Sequence, residues 1–395
     1  MCHSRRELFS LRHPEHPVSA AARPPVLPVT AVTAVDAASR DAAVLSVQLD
    51  APDAVVVRHD IAGAGQGLLR RVVSDGTGVL EDVVVPLEHA CLACAVREDL
   101  LPALVRLAEG GRWSAALLAL PLASEPVPVV RGLLGLLGGA SQERAVRGRL
   151  SLAGVVAAVD GTTAVEDLLG DDLLDERDLE HGDDDARSVG EVLARQLRGA
   201  DLVLAPGADD RARTLLEHLA LPGTVDARDA SDLGAGHLLQ HRHDPRASRL
   251  WDDPRAVAPS GAPDARGVWT LDLHDWRPAH PERLREHLEA LASGRLVGRG
   301  RFWLPTRPGS VGAWDGAGGQ LSVGDAGPWD ATPAAAERST RLVVTGVDED
   351  PARVRDAFTA SLLTDAELAR GLARWTGRSD GFEPWLGEVV ADGAA

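Results

Sequence analysis

The chain has 395 residues, long enough for two domains with substantial cores, and its 45% hydrophobic and 25% charged content is that of an ordinary globular protein. Its 41 basic and 59 acidic residues give a formal charge of −18, which argues against DNA or an anionic membrane as partner. No apolar run approaches the roughly 18 residues of a membrane span, the N-terminus lacks a signal-peptide core, and three cysteines fit a reducing cytoplasmic compartment rather than a disulfide framework.

All 41 basic residues are arginine, and the chain holds neither lysine nor asparagine. A phosphate-binding P-loop uses a lysine ammonium on the β- and γ-phosphates, and a guanidinium on another stem does not replace it conservatively. Nucleotide hydrolysis is therefore disfavoured, and the reading leans away from an enzyme.

Residues 1–24 are polar and read as a disordered extension. Residues 26–34 (VLPVTAVTA) read as a buried strand. It runs into a segment, 35–41, with no glycine to form a phosphate nest and with Asp36 to repel phosphate. A second strand is expected over 54–59, and Gly63, Gly65 and Gly67 after it read as a loop.

The strand-like stretch 79–87 leads to the segment that organises the chain, EHACLACAVREDLLP. Cys91 and Cys94 stand in C-x-x-C spacing, with His89 two residues earlier, and apolar residues at Leu100, Leu101, Leu104, Val105 and Leu107 continue as a helix. Two thiolates at a helix mouth are soft ligands for zinc. A full shell needs more donors, and His89 or Glu88 is the nearest candidate. The alternative is that the cysteines are small core hydrophobes.

Residues 115–120 read as an interior parallel strand, followed by a turn at Glu125 and Pro126. Another strand, 152–160, ends at Asp160 on the carboxyl edge, where α/β sheets place their sites. The acidic stretch 167–185, with His181, reads as a solvated loop. Ser188 and Glu191 form a capping-box pattern before a helix, and the strand after it reaches Asp209. Residues 227–265, rich in Pro, Asp, Gly and His, read as a flexible linker, with His237, His241 and His243 a less favoured metal cluster.

Eight of the nine tryptophans lie beyond residue 250, which argues for a second domain with its own aromatic core. Strands at 268–273, 300–304 and 341–345 and helices at 282–292 and 351–363 suggest an α+β unit with an antiparallel sheet.

The string HACLACAVREDLLPAL resembles the GCxCC…TVR-x-DLL signature of the CobW family of zinc-handling P-loop GTPases. Cys91 and Cys94 match its first and third cysteines, while Ala90, Ala93 and Ala95 stand at its glycine, middle cysteine and threonine. RPAHPERL (277–284), GRGRFWLPTRP (298–308) and SLLTDAEL (361–368) resemble the family's C-terminal domain, and His280 and Arg299 within them either line a surface or pack. Asp209 stands at the last acid of the family's N-K-x-D guanine box and is a weak base-binding candidate.

The resemblance implies an α/β fold. A P-loop-NTPase-like, mainly parallel sheet domain with a degenerate nucleotide site would span 25–226, and a smaller α+β domain of CobW C-terminal type 266–390. It also implies Cys91, Cys94 and His89 as metal ligands, zinc as cofactor, and GTP with Mg²⁺ as a doubtful one. The chain looks most like an actinobacterial Mrf-type branch, described as recruiting a ribosome hibernation factor to ribosomes when zinc is scarce. A zinc-linked adaptor with a ribosomal partner is thus the leading expectation, and a zinc metallochaperone GTPase the alternative.

Overall fold

The computed structural model describes residues 26–61, 68–88, 92–135, 139–182, 184–240, 243–331 and 338–389. The expected extension 1–24, the glycine loop 63–67, and His89, Cys91 and His241 lie outside the described residues.

The first sheet is built from β1 (Leu27–Thr33), β2 (Ala54–Asp60), β3 (Leu68–Asp75), β4 (Gly78–Pro86), β5 (Ala115–Ala119), β6 (Leu150–Ala158), β7 (Leu202–Leu204) and β8 (Val225–Asp226). Their order is β4-β3-β2-β5-β1-β6-β7-β8. The six strands from β2 to β8 in that order run parallel, and β3 and β4 add an antiparallel hairpin at one edge. β1 and β5 are apolar at almost every position because helices cover both faces. On one face α1 (Ala37–Asp50) lays Ala43, Val44 and Val47 against Val32, Val56 and Leu117. On the other, the helix Leu101–Gly110 lays Leu104 and Leu107 among Val55, Val57 and Leu118.

The second sheet has β9 (Val268–Asp275), β10 (Leu296–Phe302), β11 (Ser310–Ala317), β12 (Gln320–Pro328) and β13 (Thr340–Val347), all antiparallel, in the order β12-β11-β10-β13-β9. Helices Pro281–Glu286, Leu288–Ala292 and Pro351–Ser361 cover it with Leu284, Leu291, Val354 and Phe358. Trp314 is buried edge-on to Phe302 at 6.4 Å in this core, whereas Trp276 and Trp385 are exposed. The tryptophans thus mark the domain without all joining its core.

The stretch expected as a flexible linker, 227–265, is packed. Ala235 and Leu238 join the core beside α1, and the Arg255 guanidinium is buried against the carbonyls of Ala326 and Pro328. Composition misleads here because the short helices 230–233, 235–238 and 245–252 are too brief for a periodic signal.

The two sheets share a core. Val268, Val297, Ala317 and Val347 of the second domain sit in one apolar cluster with Leu168, Val189, Leu193 and Leu215 of the first. Burying each such Val contributes about 1.5–3 kcal/mol. Around it Asp315 accepts from Arg195 at 3.0 Å and Arg198 at 2.6 Å, and His218 Nδ1 meets Thr270 Oγ1 at 2.7 Å. Gly190 and Gly318 permit the closest approach. A Cβ on Gly190 would stand 2.9 Å from the Gly318 Cα, and Gly318 itself has φ +55°.

Candidate functional site

β4 ends at Pro86, and the described chain resumes in the short helix Leu92–Ala95. A π-turn, Val96–Leu100, follows and then the helix Leu101–Gly110. The sequence explains the widened turn. Pro102 has no N–H, and the Leu101 N–H reaches back to the Val96 carbonyl. The Arg97 carbonyl is served instead by Gln142 Nε2 at 2.7 Å.

Asp99 in that turn is buried and meets His59 Nε2 of β2 at 2.7 Å. Its other oxygen accepts from Arg71 of β3, whose Nη2 lies 3.4 Å from Glu81 of β4. Glu81 also accepts both terminal nitrogens of Arg106, at 2.6 and 2.9 Å. This chain of charges fixes the cysteine segment to the sheet edge through three strands and a helix.

Cys94 is buried, and its Sγ accepts from Arg97 Nη2 at 3.6 Å. Arg97 Nη2 also donates to Glu98 Oε1 at 2.7 Å, and Glu98 Oε2 accepts the Glu88 N–H at 3.3 Å. The paired Arg97, with the Glu88 amide, holds the Glu98 carboxyl below its usual range. Arg97 is in turn held above its usual value, first by Glu98 and then by Cys94, with Glu88 adding a smaller share. A thiol and two carboxylates therefore face a cation that the chain itself supplies.

That donor chemistry suits zinc, which takes thiolate and carboxylate ligands. Among the described residues no group of three or more His, Cys, Asp or Glu is placed to hold a metal ion. Of the expected ligands only Cys94 lies among the described residues; Cys91 and His89 lie outside them.

The carboxyl edge of the first sheet has a different character. Only Ala34, Val35 and Asp36 separate β1 from α1, and the Asp36 carboxylate caps α1 by accepting from Ser39 N–H at 2.7 Å. The capped helix start carries its own negative charge where a phosphate would need free amides. Arg40 in the first turn is buried, donating to Asp60 at 3.0 Å and the Leu120 carbonyl at 3.1 Å. Gln196 Nε2 donates to the Ser124 carbonyl at 2.9 Å, and Thr33 Oγ1 donates to the same oxygen at 2.5 Å. Between α1 and the ends of β6 and β7 lies a mostly apolar cavity of about 250 Å³, bordered by Leu45, Leu49, Val159 and Leu204, with no basic residue in its lining.

The remaining candidates are structural. Asp209 caps the helix Asp210–Leu219 by accepting from Ala212 N–H at 2.8 Å, and Asp160 accepts from Thr162 N–H and Oγ1 in a tight turn. Ser188 caps its helix through Glu191 N–H at 3.1 Å, but Glu191 turns its carboxylate to Arg195 at 2.8 Å, so the capping box is half formed. His181 is not in a solvated loop: Nε2 donates to the Leu122 carbonyl at 2.7 Å, and Glu125 pairs with Arg187 and Arg195. His243 pairs with Asp201 at 3.0 Å, and no cluster forms with His237 among the described residues. His280 packs edge-on to Trp375 at 5.0 Å, and Arg299 lies 4.1 Å over the Trp251 ring. Sequence reading missed the His59–Asp99–Arg71 anchor, for which the adjacent Glu98-Asp99 pair on an otherwise apolar helix start was the available signal.

The model of the cobalamin synthesis protein cobW C-terminal domain matches residues 268–362, the second sheet and its helices. Residues 268–362 thus form a domain of cobW C-terminal type. A zinc chaperone of Mycobacterium tuberculosis is 28% identical over 357 residues, covering 84% of this chain and 87% of that one. A second relative, the zinc-regulated GTPase metalloprotein activator 1 of Dictyostelium discoideum, is 23% identical over 336 residues, 74% of this chain and 69% of its own length. Among solved structures, the Zn(II)-bound YjiA GTPase of E. coli is similar over 86% of this chain and 100% of that one, with 14% identity and a TM-score of 0.33. No helix among the described residues is long and apolar enough to cross a membrane.

Proposed function

We propose that this chain is a zinc-handling adaptor of CobW type, which takes up zinc at the Cys91–Cys94 segment and signals its occupancy to a protein partner without hydrolysing GTP. The observation that carries the reading is the contrast between two places. The Cys94 segment keeps anionic donors around a cation and is anchored by buried Asp99, whereas α1 is capped by Asp36 and its Arg40 is spent inside the fold. Zinc is cargo in this reading. Its binding draws protons off the cysteines and requires Arg97 to leave the sulfur, since the two cations compete for the same charge. The names of the mycobacterial and Dictyostelium relatives support a zinc role. By family resemblance, the partner of this adaptor is a ribosome hibernation factor that it brings to ribosomes when zinc is scarce.

Equilibrium dialysis with zinc, on the full chain and on the Cys91→Ser/Cys94→Ser variant, tests the uptake. Stoichiometric zinc lost in the variant is expected; equal zinc in both would refute it. Calorimetry with GTP and Mg²⁺ tests the other half, and micromolar binding with phosphate release would restore the metallochaperone GTPase.

A further inference from the structure

An open cavity of about 500 Å³ lies between the two domains. One wall is the helix Val127–Leu133, presenting Pro126, Val127, Val130 and Leu134. The opposite wall is charged: Arg195 and Arg198 from the helix Val189–Arg198, Asp315 from β11, and Arg249, Asp252 and Arg255 from the segment after β8. The volume is that of a small-molecule site, and such sites combine an apolar wall with a few polar groups at domain junctions.

The charges do not cancel. Arg195 is engaged by Glu125, Glu191 and Asp315, Arg198 by Asp315, and Arg255 by Asp253. Arg131 on the rim has no ion pair or hydrogen bond among the described residues, and Arg249 donates only to the Pro245 carbonyl. Behind this wall Arg299 is met by the carbonyls of Trp251 and Ala258 and by the Trp251 ring, with no carboxylate in contact among the described residues. Burial, and next the charge of Arg198, pull Arg299 down to about 9. Asp315 and, more weakly, Asp252 act on Arg299 from a distance, and Asp252 itself has no hydrogen bond or ion pair among the described residues. The lining carries five arginines against four acids, so in a chain of formal charge −18 the cavity keeps a small positive excess, with Arg131 and Arg249 free of acidic partners among the described residues, beside an apolar wall.

We propose that this interdomain cavity binds a small organic anion, its acidic head between Arg131 and Arg249 and its apolar body on Val127, Val130 and Leu134. Guanidinium groups give paired, charge-assisted hydrogen bonds to carboxylate or phosphate, and the helix wall removes apolar surface from water. Neither part suffices alone, because rim charges are screened by salt and the wall is short. The site is separate from the cysteine segment and does not depend on the zinc reading.

Calorimetric titration of the full chain with naphthyl phosphate, which carries both parts, is the test. Binding is expected, with inorganic phosphate and naphthol each weaker by about tenfold or more, one such factor being about 1.4 kcal/mol. Arg131→Glu/Arg249→Glu changes only exposed side chains and is expected to lower affinity at least about tenfold with an unchanged melting temperature. Ser248→Trp, placed to fill the cavity, is expected to block binding. No heat from naphthyl phosphate, equal binding of inorganic phosphate, or unchanged affinity in both variants would overturn the proposal.

Discussion

His59 and Asp99 meet at 2.7 Å in the interior, and through that contact the end of β2 holds the turn that follows Cys94. The two are 40 positions apart in the chain and both under 6% exposed, so the pair contributes fold rather than surface charge. Removing one member of a buried pair leaves the other desolvated without compensation.

Asp99→Asn is accordingly expected to cost about 3 kcal/mol, since Arg71 loses its buried carboxylate. Urea unfolding followed by circular dichroism reads this as a lower midpoint with an unchanged slope. A midpoint equal to that of the parent chain would show the anchor to be neutral.

Arg97→Ala removes the cation that Cys94, Glu98 and Glu88 share. Zinc then no longer competes with it, and affinity is expected to rise by about two- to fivefold, the range of a solvent-exposed ion pair. A competition titration against a zinc-binding dye measures the ratio. Weaker zinc binding in the variant would mean that Arg97 supports the site instead of occupying it.

The parallel strands and the cysteine helix were legible because their signals are local. Mostly apolar runs mark β1, β5 and β6, and the spacing of Leu100, Leu101, Leu104 and Leu107 marks the helix. β11 and β12 were not, because glycine takes the positions where a strand signal would stand. Gly312 lies beneath the Phe302 ring, and a Cβ there would come within 2.5 Å of it. The packing that makes the glycine necessary involves a residue ten positions away, across a strand pair, which no window on β11 reveals. The site was half legible for a similar reason: C-x-x-C spacing points to chemistry, but the partners of Asp99 come from β2 and β3.

The same contact gives a prediction. Gly312→Ala forces Phe302, or the strand, to move in a filled core, at a cost of about 1–3 kcal/mol. Thermal unfolding should show a lower melting temperature, and Phe302→Leu in the same chain should recover part of it. An unaffected melting temperature for the single variant would mean that β11 yields without strain.

Stability should fall on acidification in two windows. Burial lowers the His181 pKa, and Arg187 adds to this, while the hydrogen bond to the Leu122 carbonyl opposes it, so folding disfavours the charged ring. A histidine lowered on folding stabilises above its unfolded value near 6.5 and loses that share as pH drops below it. Burial alone would raise Asp185, but the Arg187 guanidinium and the His181 amide overcome it and hold the carboxyl at about 2. A lowered carboxylate stabilises fully above its unfolded value near 3.9 and loses that share as pH falls through about 2. Urea midpoints are expected to drop first as pH falls below about 6.5 and again below about pH 4. His181→Gln, whose amide can still donate to Leu122, should remove the first step and leave the second.

Arg40 decides between a buried strut and a substitute for the missing lysine. It stands in the first turn of α1, where a P-loop lysine would be sought, but its Nη1 donates to Asp60 and to the Leu120 carbonyl, and its side chain is 5% exposed. A guanidinium so placed cannot reach a phosphate without abandoning two partners inside the protein. Arg40→Ala is therefore expected to lower stability by about 2–4 kcal/mol, because the Leu120 carbonyl and the Asp60 carboxylate lose a charged donor. Heat exchange with GTP and Mg²⁺ is expected to be absent both before and after the change. If the parent chain bound the nucleotide and the variant did not, Arg40 would have taken the lysine's role, and the adaptor reading would give way to a GTPase.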